Sequence, residues 1–433
     1  MDKKVFSITM SELAARGLKD VPQEAATTKH LVYSSPATLA YNSPGAQGFG
    51  VKRAGLVIPE SVMLLVSPGC CGRNSAIESG DAGYHDRMFY LLMDETDLVT
   101  GRHLTKIPQA VREIVEAYKP TPKVVVICIT CADALLGTDL ERVCRRAEHE
   151  VPGVAVVPSY MYALTRESTK PPMVGIRRTI YSLLEPATAK TNDVNLLGFF
   201  SPLDDGCELR DILKQMGFEN INEVSACKTL EEYRKMASAS LNLVLFSESN
   251  YAAEDLRQRL GTPYAEITRL YQADMIHKQY MLLAAAFERK IDDSAMYEAA
   301  KEKVKEFKKK KGGCTFSIGQ TLNADPFELA LALSRYGMRV ENIFSNLSDG
   351  SYPYIRQLAR ISPDTRLYVS ASPTMLNYET DSVETEITIG RDASYYFPNA
   401  VNVPWNYERQ PFGYQGLMKL LDEIEAARRS VRG

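Results

Sequence analysis

From residue 61 onward, short apolar runs rich in β-branched residues alternate with stretches whose apolar positions recur at helical spacing. The short runs predict strands at Val62–Val66, Val124–Ile127, Val154–Val157, Asn195–Phe200, Leu241–Phe246, Thr315–Ile318, Val340–Phe344 and Leu367–Ser370. The longer stretches predict helices at Leu104–Tyr118, Ala134–His149, Glu208–Met216, Leu230–Ala237, Tyr251–Leu260, Leu270–Lys290, Ala295–Lys310, Pro326–Tyr336 and Tyr414–Arg429. Strands that alternate with helices imply parallel sheets joined by crossover helices. The first sixty residues are loop-rich and yield no assignable element.

The pattern breaks twice. Around Pro186–Asp193 it lapses into small and polar residues, and after Lys308-Lys309-Lys310-Lys311 it stops at Gly312-Gly313 before a new strand. The fold class read from this is α/β: three doubly wound, Rossmann-like domains with mostly parallel sheets, spanning 1–190, 191–311 and 312–433. The lysine run reads as a solvated helix end favoured by the macrodipole. No short fixed repeat and no low-complexity tract occurs.

Composition bounds the rest. A chain of 433 residues suggests about two to four domains. With 51 Lys plus Arg against 54 Asp plus Glu, a net charge of −3 gives no reason to expect nucleic acid or a membrane surface as partner. No apolar stretch approaches the ~18 residues of a membrane span, and Met1-Asp2-Lys3-Lys4-Val5-Phe6 lacks a signal-peptide core. The expected compartment is the cytoplasm, where clustered cysteines are more often ligands or reactive thiols than disulfides. Of eight cysteines, Cys144, Cys207, Cys227 and Cys314 stand alone in apolar patterns and read as core residues.

The other four come in two pairs, each following a predicted strand: Ser67-Pro68-Gly69-Cys70-Cys71-Gly72, and Cys128-Ile129-Thr130-Cys131. In an open α/β sheet, ligands bind beyond the carboxyl ends of strands, so two soft-ligand pairs there can share one metal. The first pair reads as a tight turn whose exposed amides lower the thiol pKa. Adjacent cysteines do not form an easy local disulfide. Taken alone, Cys128 and Cys131 also fit a redox dithiol or half a zinc site, whereas both pairs on one sheet favour an iron–sulfur cluster. His30, His85, His103, His149 and His277 lack ligand-like spacing and read as surface or satisfied core residues. Trp405 and the tyrosine-rich C-terminal third read as packing. Without a GxxxxGK[ST] run, no ATP site is expected on this chain.

At these residues the chain resembles the nitrogenase component 1 type oxidoreductases. Segment 61–72 is similar to their strand, turn and Gly-Cys. Leu91–Gly101 resembles their S-E-x-D-x-V-x-G stretch, and Thr130–Asp139 their T-C-x-x-x-x-I-G-D-D motif. Val157-Pro158-Ser159-Tyr160, Leu241–Tyr264 and Phe412-Gly413-Tyr414-Gln415-Gly416 resemble further family segments, in order. The resemblance implies a dimeric or larger assembly with a homologous or identical subunit. It also implies an interface iron–sulfur cluster, either a four-iron cube or a larger fused cluster, and electrons from a separate ATP-hydrolysing iron protein. Cys70 and Cys131 match family ligands. The family's first ligand cysteine falls near Asn42-Ser43-Pro44, where this chain has none, and Cys71 and Cys128 are extra thiols that can substitute. The cysteine and histidine that hold the iron–molybdenum cofactor in nitrogenase fall near Phe246-Ser247 and Phe412, and both are absent.

The expected function is therefore the catalytic component of an ATP-dependent reductase of a small-molecule substrate, not of dinitrogen. The alternative is a non-catalytic scaffold for metallocluster or cofactor assembly, and a third is an α/β protein that has lost its metal. No catalytic residue is identified.

Overall fold

The structure is a computed structural model. It describes residues 4–26, 33, 36, 37, 50–81, 83–161, 171–309, 314–380 and 384–432. The site of the missing family cysteine near Asn42-Ser43-Pro44 and the boundary near 311 lie outside the described residues, as does His30.

Strand β1 (Ile8–Thr9) leads into a helix, Met10–Arg16, that is held by a reciprocal cap between Thr9 and Glu12. The first sheet contains β2 (Ser61–Ser67), β3 (Met88–Leu92), β4 (Val124–Ile129) and β5 (Ala155–Tyr160), in the order β3-β2-β4-β5. The second contains β6 (Thr191–Leu197), β7 (Ile221–Glu223), β8 (Ala239–Val244) and β9 (Tyr264–Glu266), in the order β7-β6-β8-β9. The third joins β10 (Thr315–Ile318), β11 (Arg339–Phe344), β12 (Arg366–Tyr368), β13 (Ile387–Ile389) and β14 (Val401–Val403) to β1, in the order β1-β12-β11-β10-β13-β14. Among the described residues only β1 pairs antiparallel; every other neighbour pair there is parallel. The expected α/β class with mostly parallel sheets is what the fold shows.

Strands buried on both faces read as continuous apolar runs rather than alternating ones. In β2 and β4, Met63, Leu65, Val124, Val126 and Cys128 point to one core, and Val62, Leu64, Val66, Val125, Ile127 and Ile129 to another. The first of these cores also takes in Leu197, Tyr233, Val244 and Leu256 around the second sheet.

The backbone divides into two compact units. One comprises 1–43, 203–216 and 269–433; the other comprises 44–202 and 217–268. In the first unit, Glu208 accepts hydrogen bonds from the amides of Tyr414 (2.6 Å) and Gln415 (3.1 Å), which open the Gly413–Arg432 helix, and from the Tyr280 hydroxyl (2.9 Å). Gly413 is required there: its φ is +63°, and a Cβ would lie 1.9 Å from Glu208 Oε1. The same unit buries Trp405 completely, its indole N–H donating to the Tyr271 hydroxyl at 2.8 Å, which is packing as expected.

Each sheet has a point where the strand order reverses, the place where open α/β sheets bind ligands. These lie between β2 and β4, between β6 and β8, and between β10 and β13.

Candidate metal centre

The reversal point of the first sheet carries the thiols. Chain direction and parallel register bring the carboxyl ends of β2 and β4 side by side, with Val66 opposite Ile129. After Ser67 and Pro68, the expected tight turn is instead the start of a helix, Gly69–Asp81, with Cys71 N and Gly72 N donating to Pro68 O at 3.1 and 3.3 Å. Its glycines and small polar residues are weak helix formers, so periodicity does not announce it. Cys70 is exposed and Cys71 half-buried, with their sulfurs 4.0 Å apart. Two thiolates about 2.3 Å from one tetrahedral metal would be separated by about 3.8 Å.

Beyond β4, Cys131 opens the helix Cys131–Leu136, half-buried, its sulfur 4.0 Å from Met161 O. The single helix predicted over Ala134–His149 is two. Gly137, with φ +65°, breaks it, and the Asp139 carboxylate caps Leu140–Glu150 through Arg142 N (2.9 Å).

The thiol pKa moves opposite to expectation. Burial pushes Cys71 up, and a hydrogen bond from Cys70 and the charges of Cys70 and Cys131 add to this; Lys52 opposes it.

Cys128 is placed differently. It lies within β4 rather than in the loop, opposite Leu65 and Ser159, with no exposed surface. Burial pushes its thiol up to about 12, partly offset by Ser159 and Lys52. It packs in the apolar core with Met63, Leu65 and Val126, whereas Cys70 is exposed and Cys71 and Cys131 are half-buried. The isolated cysteines fall largely as expected: Cys144, Cys207 and Cys314 are buried, while Cys227 is half-buried.

Two groups escape notice in the sequence. Lys52, 3% exposed, donates to Ser75 Oγ at 2.7 Å, and Ser75 Oγ donates to Cys71 O at 2.8 Å. Its charge is felt at both Cys71 and Cys128. The only signal was the Lys52-Arg53 pair inside the otherwise apolar and small run 48–58. Behind Cys131, the fully buried Asp133 accepts from Thr138 Oγ1 (3.2 Å) and lies 3.7 Å from His103 Nε2; His103 Nδ1 is 3.1 Å from Asp97 O. Burial raises the Asp133 pKa, and His103 opposes the rise. Asp97 binds Lys106 and Arg102 at 2.7 Å each, and these hydrogen bonds hold its carboxyl well below the usual range. The acidic and Thr-Cys motifs thus meet as a brace under the Cys131 loop. His103 is the satisfied core residue expected of it.

Thiolates are soft donors suited to iron–sulfur centres, and three accessible ones at one sheet end fit such a group. Among the described residues no three His, Cys, Asp or Glu side chains are grouped closely enough to hold a metal ion by themselves. Exposed apolar side chains Ile77, Leu135 and Leu136 stand on the two helices that carry Cys70, Cys71 and Cys131, and Leu92 and Val99 on β3 and the Glu95–Thr100 helix that follows it. No helix among the described residues is long and apolar enough to cross a membrane.

The other two reversal points are closed by the protein itself. In the second sheet the Arg177 guanidinium bonds Gly198 O and Glu248 Oε2 and lies 4.4 and 4.9 Å from the Phe200 and Phe246 ring centroids. In the third, the fully buried Asp392 carboxylate accepts from Gln320 N (3.1 Å) and Thr321 N (3.0 Å).

Comparison with known proteins agrees with this architecture. The chain is 25% identical over 434 residues to the nitrogenase iron-molybdenum cofactor biosynthesis protein NifE of Sinorhizobium fredii (strain NBRC 101917 / NGR234), covering 91% of this chain and 83% of that protein. It is 24% identical to the protein of the same name from Mesorhizobium japonicum, with the same coverage, and 24% identical to that of Rippkaea orientalis, covering 87% of this chain and 83% of that protein. The solved structure of nitrogenase Cp1 at pH 6.5 shares the fold, with a TM-score of 0.70 at 16% identity over 90% of this chain and 92% of that one. Residues 46–428 match the family described as nitrogenase component 1 type oxidoreductase, and the chain belongs to that family.

Proposed function

We propose that this chain is a scaffold subunit for metallocluster assembly, holding an iron–sulfur cluster through Cys70, Cys71 and Cys131. The observation that carries this reading is the emergence of those thiols, exposed or half-buried, at the carboxyl ends of the two strands that flank the first sheet's reversal point, in a chain whose near-full-length relatives bear the name of a cofactor-biosynthesis protein. The catalytic reductase expected from the sequence yields first place to the scaffold for that second reason. The absence of a cysteine at Phe246-Ser247 and of a histidine at Phe412 fits a chain that does not keep the finished cofactor.

A bound cluster would supply one-electron redox capacity and labile iron and sulfide. Everything else falls to the chain. Cys70 and Cys71 act from a helix N-terminus, where the backbone dipole favours negative charge. Lys52 adds a buried positive charge behind them. The Asp133–Thr138–His103 brace fixes the loop that presents Cys131. Cys128, packed in the core, is left to structure. The exposed apolar rim is the face for a homologous or identical subunit, whose donors complete the coordination. An ATP-hydrolysing iron protein is the second partner, and a reducing cytoplasm keeps the thiols free.

The second reading, a reductase of a small-molecule substrate, is favoured by the family's oxidoreductase description. One experiment separates the two. The anaerobically purified holoprotein is mixed with reduced iron protein, ATP and candidate substrates. The scaffold reading expects no product and release of iron and sulfide to an acceptor apoprotein. Steady ATP-dependent product formation with the cluster retained would overturn it in favour of the reductase.

A further inference from the structure

A cleft of about 1080 Å³ opens between the Ala273–Ala286 and Ser294–Lys309 helices and the end of the Pro326–Arg335 helix, far along the chain from Cys70, Cys71 and Cys131. Its floor is Gln272 and Tyr336, both more than nine-tenths buried. Five cationic side chains line it against three acidic ones.

Those charges are not equivalent. Lys301 and Lys305 are matched on their own helix by Glu298 (3.0 Å) and Glu302 (2.9 Å). Asp274 is engaged by the Tyr297 hydroxyl at 2.8 Å. Arg335, Lys308 and Lys309 form no ion pair with a described residue. Arg335 is nevertheless fixed in place. The Gln272 amide nitrogen donates to the buried Glu328 at 3.0 Å, which leaves its carbonyl oxygen to accept from Arg335 Nη1. Gln357 Oε1 accepts from Nη2 at 2.5 Å. Two neutral amides thus hold a guanidinium whose charge is also felt by Glu328, though no carboxylate among the described residues pairs with it directly. Lys308 Nζ sits 5.5 Å from the centre of the Tyr336 ring, on the same side.

We propose that this cleft binds a small, multiply charged oxyanion, through a planar contact with Arg335 and point charges from Lys308 and Lys309. A solvated helix end would account for the lysines alone. It does not account for an arginine from another helix anchored by a buried glutamine that a buried carboxylate orients. Arginine offers a planar fork matched to phosphate and carboxylate oxygens, and lysine offers a mobile point charge. Ala273, Met275 and Val304 leave an apolar wall for the remainder of the ligand. Phosphate esters and polycarboxylates share this chemistry. The inference stands apart from the cysteine site.

The test is calorimetric titration of the full-length protein with pyrophosphate and, separately, with citrate, at constant ionic strength. Saturable one-to-one binding of either is expected, and whichever binds tighter identifies the phosphate or the carboxylate class. Arg335→Gln should weaken it at least tenfold, with Arg335→Lys recovering only part. Lys308→Ala with Lys309→Ala, on an exposed surface where folding is unaffected, should weaken it several-fold. Absence of saturable binding by both probes, or binding undiminished in the double-lysine variant, overturns the site.

Discussion

The reversal points of the first and third sheets occupy the same topological position and are built to opposite ends. In the third, Asp392 turns inward and satisfies the two amides that a ligand would otherwise meet, and Gly319 leaves just enough room for it: a Cβ there would come within 2.2 Å of Asp392 Oδ1. In the first, the loops present Cys70, Cys71 and Cys131 outward, and the polar bracing of Lys52, Ser75, Asp133 and His103 lies behind them. The same crevice is filled by the protein in one case and, in the function proposed above, offered to a ligand in the other. A ligand site in this fold is therefore read from which side chains leave the crevice open, rather than from topology alone.

The largest expected effect breaks the comparison outright. Replacing Cys70, Cys71 and Cys131 together by alanine should remove bound iron while the thermal unfolding midpoint stays close to that of the parent, since two of the three are half-buried and one is exposed. The inward-facing unit should instead answer in stability. Burial raises the Glu328 pKa to about 7 from 4.5. Its proton is held more tightly folded than unfolded, so the stability it confers is complete below the ordinary glutamate range and is lost as pH rises towards 7. The loss is on the order of 3 kcal/mol, and denaturant titrations of Glu328→Gln should lack that slope.

Smaller effects sharpen the contrast. Gly319→Ala should cost about 1–3 kcal/mol by overpacking against Asp392, and Asp392→Ala about 1–3 kcal/mol by orphaning two buried amides; in both variants iron content should be unchanged. Cys128→Ser should cost about 1 kcal/mol or slightly more, because it puts a hydroxyl among Met63, Leu65 and Val126, and should also leave iron in place. Iron loss in this last variant would restore Cys128 to the ligand set.

Much of this was legible in the chain. The strands Ser61–Ser67 and Val124–Ile129 are largely apolar runs buried on both faces, and runs of that kind declare themselves. The strands Ile221–Glu223, Tyr264–Glu266, Ile387–Ile389 and Val401–Val403 did not, because three residues carry no measurable period. Met88–Leu92 was missed beside a run of irregular structure, and Gly69–Asp81 because glycine and serine disguise a helix. Of the candidate site, the outward thiols follow from strand-end logic. The burial of Cys128 follows from its place inside β4, which runs on to Ile129 and is buried on both faces, two residues beyond the strand end read from the sequence. Lys52, His103 and Asp133 join the site only through packing between distant segments, which no local spacing encodes.

The central claim is that three outward thiols of the first sheet hold a cluster. Its most direct measurement is iron and acid-labile sulfide content, with electron paramagnetic resonance, on the full-length protein purified anaerobically beside its Cys70/Cys71/Cys131 triple-alanine variant. The account predicts iron and sulfide in near-equal amounts with a reducible cluster signal in the parent, and neither in the variant. A parent devoid of iron and sulfide, or a variant that retains both with the same spectrum, would contradict it.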